Sequence, residues 1–242
     1  MASQNFADAS NELRDLLGLS VPPIAIAFAA EAPANVAPLA AAYPAPTADG
    51  RTGAVPAGCV FWMHATEKEF ATSAADHRNC SVGSYTHGFI SLEEAAGHAD
   101  VEALLAAQWV TPEAAGKIPA VSQSPRSVVY GPLANTSVAP DIVFLRVNGK
   151  QLMLLHDAWP QLRFEGKPQC HIIPIAKETG EIAVSSGCML SRVRTGMSNN
   201  EVTCAIPARR LGELIDKLKA ASKADIAVAA YAAADSKRFS RA

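Results

Sequence analysis

The sequence predicts a single α/β or α+β domain in which a mixed sheet is flanked by helices. Short apolar, β-branched runs typical of buried strands alternate along the chain with segments whose apolar residues recur at helical spacing. The chain has 242 residues, of which 49% are hydrophobic, and this is enough to build one core. We expect residues 1–242 to form one domain, because interleaved strands and helices pack as a sheet covered by helices.

The elements of the N-terminal half follow from apolar spacing and from capping residues. Leu13, Leu16 and Leu17 share one helical face and a glycine follows them, which predicts a helix over 10–17. Residues 29–57 are rich in proline and alanine, a composition that opposes regular structure and predicts an irregular excursion. The other expected elements are a strand over 24–28, a helix over 60–70 that runs into a strand over 69–73, a helix opened by the turn at 76–80, a helix from the capping box at Ser91 to Trp109, and a helix that begins at Thr111.

The C-terminal half alternates strands with amphipathic helices. Val202, Cys204 and Ile206 alternate as a strand, so Cys204 is expected to pack in the core. In a helix over 150–159, His156 shares a face with apolar residues and is also expected to face the core. The other expected elements are strands over 127–130 and 142–147, an amphipathic helix over 211–218, and a C-terminal helical tail over 222–242.

Composition and charge exclude several classes of partner. The chain carries 21 Lys and Arg against 23 Asp and Glu, so it lacks the electrostatic attraction that dominates binding to nucleic acids and anionic membranes. Its most apolar segment, 16–30, is interrupted by two prolines and is shorter than the roughly 20 residues of a membrane span. The N-terminal segment also lacks the pattern of a signal peptide. We expect a cytosolic protein that binds neither nucleic acid nor membranes.

Four of the five cysteines lie where turns or the ends of elements are expected. Each of the four has a glycine or proline within three positions, and such neighbours let the backbone approach a bound group closely. These four are Cys59, Cys80, Cys170 and Cys188. An odd count in a reducing cytosol argues against disulfides, and thiolates select zinc, iron–sulfur clusters or haem iron. A buried thiol that only packs is the alternative for each of them.

Histidines and one arginine near these cysteines are candidates for proton transfer and anion binding. His64, His77 and His87 fall in the same stretch as the first two cysteines, and imidazole serves as a ligand or a proton donor near neutral pH. Arg192 follows Cys188 by one turn if that segment is helical, and its guanidinium suits an anionic substrate. The structural alternatives are histidines that bond neighbouring groups and an arginine in a surface ion pair.

A series of short motifs runs in a fixed order through most of the chain. They are Leu17-Gly18-Leu19 with Pro22-Pro23, Asp76-His77 with Cys80 and Gly83, Gly131-Pro132-Leu133, Pro140-Asp141-Ile142-Val143, Asn148 with Gln151 and Met153, Ser186-Gly187-Cys188 with Ser191-Arg192, and Ile206-Pro207. In this order they make the chain resemble the uncharacterised prokaryotic family called domain of unknown function 169, over about residues 16–218. The resemblance implies a cysteine at each of the four positions named above and a different residue at Cys204.

This resemblance implies one shared metal site ligated by Cys59, Cys80, Cys170 and Cys188, with an iron–sulfur cluster as the first candidate. The chain departs from the family after the first two cysteines, where bulky and imidazole side chains replace small ones. The residues that we therefore expect to border a cofactor are Phe61, Trp62, Tyr85 and His87.

The sequence thus predicts an iron–sulfur redox enzyme or electron-transfer protein that acts on a small molecule or with a redox partner protein. If three cysteines ligate, an open iron would act as a Lewis acid in oxidoreductase or lyase chemistry, with His77 or His64 as proton donor and Arg192 holding an anion. Whether copies of the chain form a homo-oligomer is left open.

Three other functions use the same residues. A haem protein would take a cysteine or histidine as axial ligand and Phe61, Trp62 and Tyr85 as pocket walls. A structural zinc site, or a binding module without metal, would use the cysteines to close the fold. A cysteine-nucleophile enzyme would use Cys80 with His77 as base, because a helix N-terminus lowers the pKa of a thiol.

Overall fold

The protein is built on a seven-stranded mixed sheet, as seen in a computed structural model that describes residues 5–43 and 58–237. The strand order is β2-β3-β1-β4-β7-β6-β5, and all neighbours are antiparallel except β5 and β6, which are parallel. The strands are β1 (Ile24–Ala29), β2 (Phe70–Thr72), β3 (Ser127–Pro132), β4 (Ile142–Val147), β5 (Arg163–Glu165), β6 (Ala183–Ser185) and β7 (Val202–Pro207). The predicted fold class, a mixed sheet flanked by helices, is confirmed.

Helices cover both faces of this sheet. They are α1 (Phe6–Leu17), α2 (Leu39–Ala42), α3 (Gly58–His64), α4 (Ala74–His77), α5 (Ser81–Thr86), α6 (Leu92–Ala96), α7 (Ala99–Ala106), α8 (Pro112–Ala115), α9 (Gly149–Ala158), α10 (Ile172–Pro174), α11 (Met189–Thr195) and α12 (Leu211–Ser236). A π-helical turn, Ile175–Thr179, continues α10, and 3-10 turns cover Leu133–Asn135, Gln169–His171 and Ala208–Arg210. Within the described ranges, no helix is both long and apolar enough to cross a membrane.

The alternation of side chains along the strands divides the interior into two cores. In β4, Val143 and Leu145 face a core formed with α1, α9 and α12, whereas Ile142 and Phe144 face a core formed with α3, α10 and the following π turn. This is the period of two that places successive strand residues on opposite faces. Cys204 of β7 is fully buried in the first core, as its alternation predicts.

Capping residues fix the helices of the first core. Gly18 ends α1 in the left-handed conformation with φ 62°. Asn148 and Gln151 form a reciprocal capping box at the start of α9, and the Gln151 side-chain amide also donates to the Gly18 carbonyl at 2.9 Å. One polar side chain therefore ties the end of α1 to the start of α9.

Several expected elements differ from the structure. The helix expected from Ser91 to Trp109 is two helices, α6 and α7, because Gly97 ends the first and His98 caps the second. The expected excursion over 29–57 contains the one-turn helix α2 in its described part, while residues 44–57 lie outside the described residues. The expected tail at 222–242 continues α12 without a break to Ser236, and residues 238–242 also lie outside. His156 is exposed, since Leu154 and Leu155 take the buried face of α9.

Candidate functional site

Four cysteines from separate parts of the chain line one cavity beside the second core. Cys59 lies in the first turn of α3, and Cys170 lies in the 3-10 turn before α10. Cys80 is the N-cap residue of α5, and Cys188 is the N-cap residue of α11. The cavity has a volume of about 40 Å³, roughly three times what a single water molecule needs. Its other lining residues are Trp62, Val82, Gly83, His87, Leu104, Trp109, Pro168, Gln169, Leu190, Ser191 and Arg194.

Hydrogen-bonding groups surround three of the four sulfurs. The backbone of Gly83 lies beside Cys80 Sγ, and the hydroxyl groups of Ser191 and Thr86 lie beside the sulfurs of Cys59 and Cys170 respectively. Each of these groups partly offsets the rise in the pKa of the neighbouring thiol. The Gln169 side-chain amide donates to Ser191 Oγ at 2.6 Å, which leaves the hydroxyl hydrogen of Ser191 free for Cys59. These contacts orient the sulfurs at the cavity wall.

Burial keeps these thiols protonated. It raises the pKa of Cys59 to about 11, raises the pKa of Cys80, and raises the pKa of Cys170 well above its usual range. The lowered pKa expected for Cys80 is therefore wrong. The thiol does lie at the N-terminus of α5, but loss of solvation outweighs the effect of this six-residue helix and of the nearby Arg194 cation.

Four buried polar atoms along the cavity have no hydrogen-bond partner among the residues that the structure describes. Two are donors, Trp62 Nε1 and Arg194 Nη1, and two are atoms with lone pairs, His87 Nε2 and Gln169 Oε1. The side chains of Trp62, His87 and Gln169 are at least 97% buried, and a buried polar group without a partner costs about 1–3 kcal/mol. This concentration of unsatisfied atoms is typical of a site that binds a further group.

The two buried histidines of this region have defined tautomers. His87 Nδ1 lies 2.8 Å from the Gly83 carbonyl, which only accepts, so Nδ1 carries the proton and Nε2 is bare. His77 Nε2 lies 3.1 Å from Thr72 Oγ1, whose own hydrogen is donated to the Val128 carbonyl, so Nε2 carries the proton there. Burial lowers the pKa of both imidazoles, that of His87 to about 4, and both rings are neutral at physiological pH.

The sulfurs border the cavity without converging on one point. In the ranges 5–43 and 58–237, no three His, Cys, Asp or Glu side chains are grouped so that they could hold one metal ion. The four thiols are nevertheless close enough to act on one another, since Cys80, Cys188 and Cys59 all contribute to the raised pKa of Cys170.

The remaining residues predicted for the site lie elsewhere. His64 stacks on the Tyr43 ring at 4.1 Å and does not line the cavity, and His77 is buried behind His87 with ring centroids 5.1 Å apart. Arg192 donates to the backbone carbonyls of Ser186, Ser198 and Glu201, so its guanidinium holds a loop instead of facing the thiols.

Of the four residues predicted to border a cofactor, Trp62 and His87 line the cavity, whereas Phe61 and Tyr85 do not. Phe61 is fully buried against Phe70, His77 and Tyr130.

Tyr85 borders a second cavity of about 200 Å³ between α5 and α8, and its hydroxyl donates to the Ile118 carbonyl at 2.9 Å. The walls of this second cavity are almost entirely apolar. Val82 and Leu104 line both cavities and separate them.

Sequence reasoning missed Arg194 and Gln169. Arg194 follows Leu190 by four positions and Ser191 by three, which places these three side chains on one face of α11. That spacing could have identified Arg194 in place of Arg192 if the bounds of α11 had been known. Gln169 gives no comparable signal, because its position depends on the turn that carries Cys170.

The structure thus defines a mixed-sheet α/β protein with a cavity lined by four cysteines. The chain belongs to the family called domain of unknown function 169 (DUF169), described as "Uncharacterised ArCR", which matches residues 12–217. The match includes all four cavity cysteines, and it confirms the family resemblance found in the sequence. No curated protein and no solved structure matches the chain significantly.

Proposed function

We propose that this chain is a cytosolic iron–sulfur protein, a redox enzyme or electron-transfer protein in which Cys59, Cys80, Cys170 and Cys188 hold the cluster. The observation that carries the proposal is that these four cysteines, contributed by separate elements, line one cavity, whereas the fifth, Cys204, is buried on the opposite face of the sheet. Iron–sulfur clusters are held by four cysteine thiolates in this way.

The protonation state of the thiols weighs against the nucleophile hypothesis. Buried thiols with raised pKa values are protonated in the metal-free protein, so they offer little as nucleophiles. A metal centre reverses this balance, because a coordinating thiol loses its proton. Among the described residues, the cation that acts on Cys59 and Cys80 is Arg194.

The unpartnered atoms of the cavity fit a cluster. Trp62 Nε1 and Arg194 Nη1 are donors without acceptors, and the sulfides of a cluster accept such hydrogen bonds. Sulfurs that surround a cavity also suit a cluster of several atoms better than a single ion. Tetrahedral zinc needs four ligand sulfurs within about 4 Å of one another, since each Zn–S bond is about 2.3 Å. When bound, the cluster would supply one-electron transfer or a Lewis-acidic iron.

The geometry gives the other hypotheses less support. A haem is a drug-sized ligand, which needs a pocket of about 300 Å³ or more. The cavity of about 40 Å³ is much smaller, and two of the three expected wall residues do not line it. For the nucleophile hypothesis, His77 would have to be the base for Cys80. His77 does not line the cavity, and its bare Nδ1 makes no hydrogen bond to Cys80 or to any other described residue.

The test is anaerobic purification of the full chain, followed by a visible spectrum and assays for iron and acid-labile sulfide. We expect a coloured protein with iron and sulfide in equal amounts. Cys170→Ala should reduce both to background, whereas Cys204→Ala, the matched control from the opposite core, should retain them. Three results would contradict the proposal: a protein that stays colourless and iron-free after reconstitution with ferrous iron and sulfide, one equivalent of zinc without sulfide, or equal iron in the two variants.

A further inference from the structure

The position of His87 in the cysteine cavity suggests a role beyond that of a wall residue. The ring is fully buried, and it lies on the residue that ends α5, seven positions after Cys80. Seven residues make about two helical turns, so the two residues lie on the same side of the helix. Both residues line the cavity.

The backbone of Gly83 lies against both groups. It approaches Cys80 Sγ, and its carbonyl accepts from His87 Nδ1–H at 2.8 Å. The second contact fixes the tautomer, so that His87 Nε2 carries a lone pair without a hydrogen. An imidazole held in this way, with one nitrogen donating to a backbone carbonyl, has the arrangement found in metal-ligating histidines.

The lone pair of His87 Nε2 has no partner among the described residues. It can be satisfied only by a hydrogen-bond donor or by a metal ion. The unpartnered donors that line the same cavity, Trp62 Nε1 and Arg194 Nη1, make no bond to it, and no cysteine sulfur bonds it either. Phe28, His77 and Tyr130 surround the remainder of the ring with centroids 5.1–6.5 Å away.

We propose that His87 is a direct ligand, through Nε2, of the metal group that the cavity cysteines hold. The inference rests on the proposed function and refines its ligand set. Because such a cluster takes four protein ligands, His87 replaces one of the four thiolates, so that three cysteines and one imidazole hold the cluster. Imidazole is a good ligand for iron, and mixed cysteine and histidine ligation raises the reduction potential of a cluster above that of an all-cysteine site. His77 has no such role, because it does not line the cavity, although its Nδ1 also lacks a partner among the described residues.

Two measurements on the full chain test this role. In the metal-free protein labelled with ¹⁵N-histidine, long-range proton–nitrogen NMR should show His87 protonated at Nδ1 and bare at Nε2. After reconstitution with ferrous iron and sulfide, and reduction, pulsed EPR should show coupling of the cluster to one histidine nitrogen. His87→Ala should abolish that coupling, whereas the control His156→Ala, at an exposed position of α9, should keep it. His87→Cys should retain iron without the nitrogen coupling and should shift the reduction potential downward.

The outcomes separate the two proposals. A cluster that depends on the cysteines but shows no histidine coupling overturns the His87 assignment and leaves the iron–sulfur proposal in place. A metal-free protein with a proton on His87 Nε2 also overturns the assignment, whatever the iron content. A protein that takes up no iron refutes the proposed function and the ligand role together.

Discussion

Removing one hydroxyl from the centre of the sheet should stabilise the protein. Tyr130 in β3 is fully buried, and its hydroxyl has no hydrogen-bond partner within the part of the chain that the structure describes. Burial raises the pKa of this phenol well above its usual range, so it is neutral. A buried hydroxyl without a partner costs about 1–3 kcal/mol. Tyr130→Phe removes that cost and keeps the ring contacts with Phe61 and Phe70, so we expect the free energy of unfolding to rise by about 1–2 kcal/mol.

Tyr85 provides a matched control of opposite sign. Its hydroxyl donates to the Ile118 carbonyl at 2.9 Å, and a hydrogen bond of this kind contributes about 0.5–1.5 kcal/mol. Tyr85→Phe should therefore lower the free energy of unfolding by about 1 kcal/mol. Both substitutions delete the same atom, so a difference in sign reports only on whether that atom has a partner.

Thermal and urea unfolding of the metal-free protein would measure the pair. For a domain of this size, 1 kcal/mol shifts the melting temperature by roughly 2–4 °C, so the two variants should melt on opposite sides of the parent protein. If Tyr130→Phe instead destabilises the protein as much as Tyr85→Phe does, its hydroxyl has a partner and the reasoning is refuted.

Two further predictions concern the backbone and the thiols. Gly18→Ala should lower the free energy of unfolding by about 1–2 kcal/mol, because φ is 62° at this position and alanine is strained there. The added Cβ would meet no atom within 4 Å, so backbone strain alone decides the result. The control is Gly149→Ala at the first position of α9, where an added Cβ also meets no atom within 4 Å; it should be neutral or stabilising in the same urea titration. An equal loss of stability in both variants would contradict the strain argument. Because the pKa of Cys59 is raised to about 11, its thiolate fraction at pH 7 is on the order of 10⁻⁴. Alkylation by iodoacetamide, followed by peptide mass spectrometry in metal-free protein, should then accelerate about tenfold per pH unit towards pH 11, and rapid modification at pH 7 would contradict the burial effect.

The parts of the fold that were predictable are those with strong local patterns. The strands β4 and β7 each span six residues, and their apolar side chains alternate between two cores. The strands β5 and β6 have three residues each and were missed, whereas β2 is equally short and was predicted, so length alone does not explain the difference. The Arg163–Glu165 strand is also largely exposed, and its pairing with β6 and the contact of Arg163 with Glu181 hold it in place. Such tertiary contacts leave no periodic signal in the sequence.

For the site, local context indicated the cysteines that line the cavity but not the other side chains around it. Glycine and proline neighbours mark turns, and Cys80 and Cys188 do precede short helices. Which arginine faces the thiols depends on the rotation of α11, and a short amphipathic segment does not fix its rotation without its neighbours. The tautomer of His87 depends on the Gly83 carbonyl, a backbone group that no sequence pattern reveals.

The order of the four cysteines along the chain has a consequence for how the protein is made. Cys59 and Cys80 precede most of the sheet, and Cys170 and Cys188 follow β3, β4 and α9, so a fragment that contains all four cysteines must span at least residues 59–188. A group bonded to all four would close long loops through the domain and would add its binding free energy to the stability of the fold. Insertion of such a group must then wait until synthesis has passed Cys188, which makes loading a late step in the maturation of the chain.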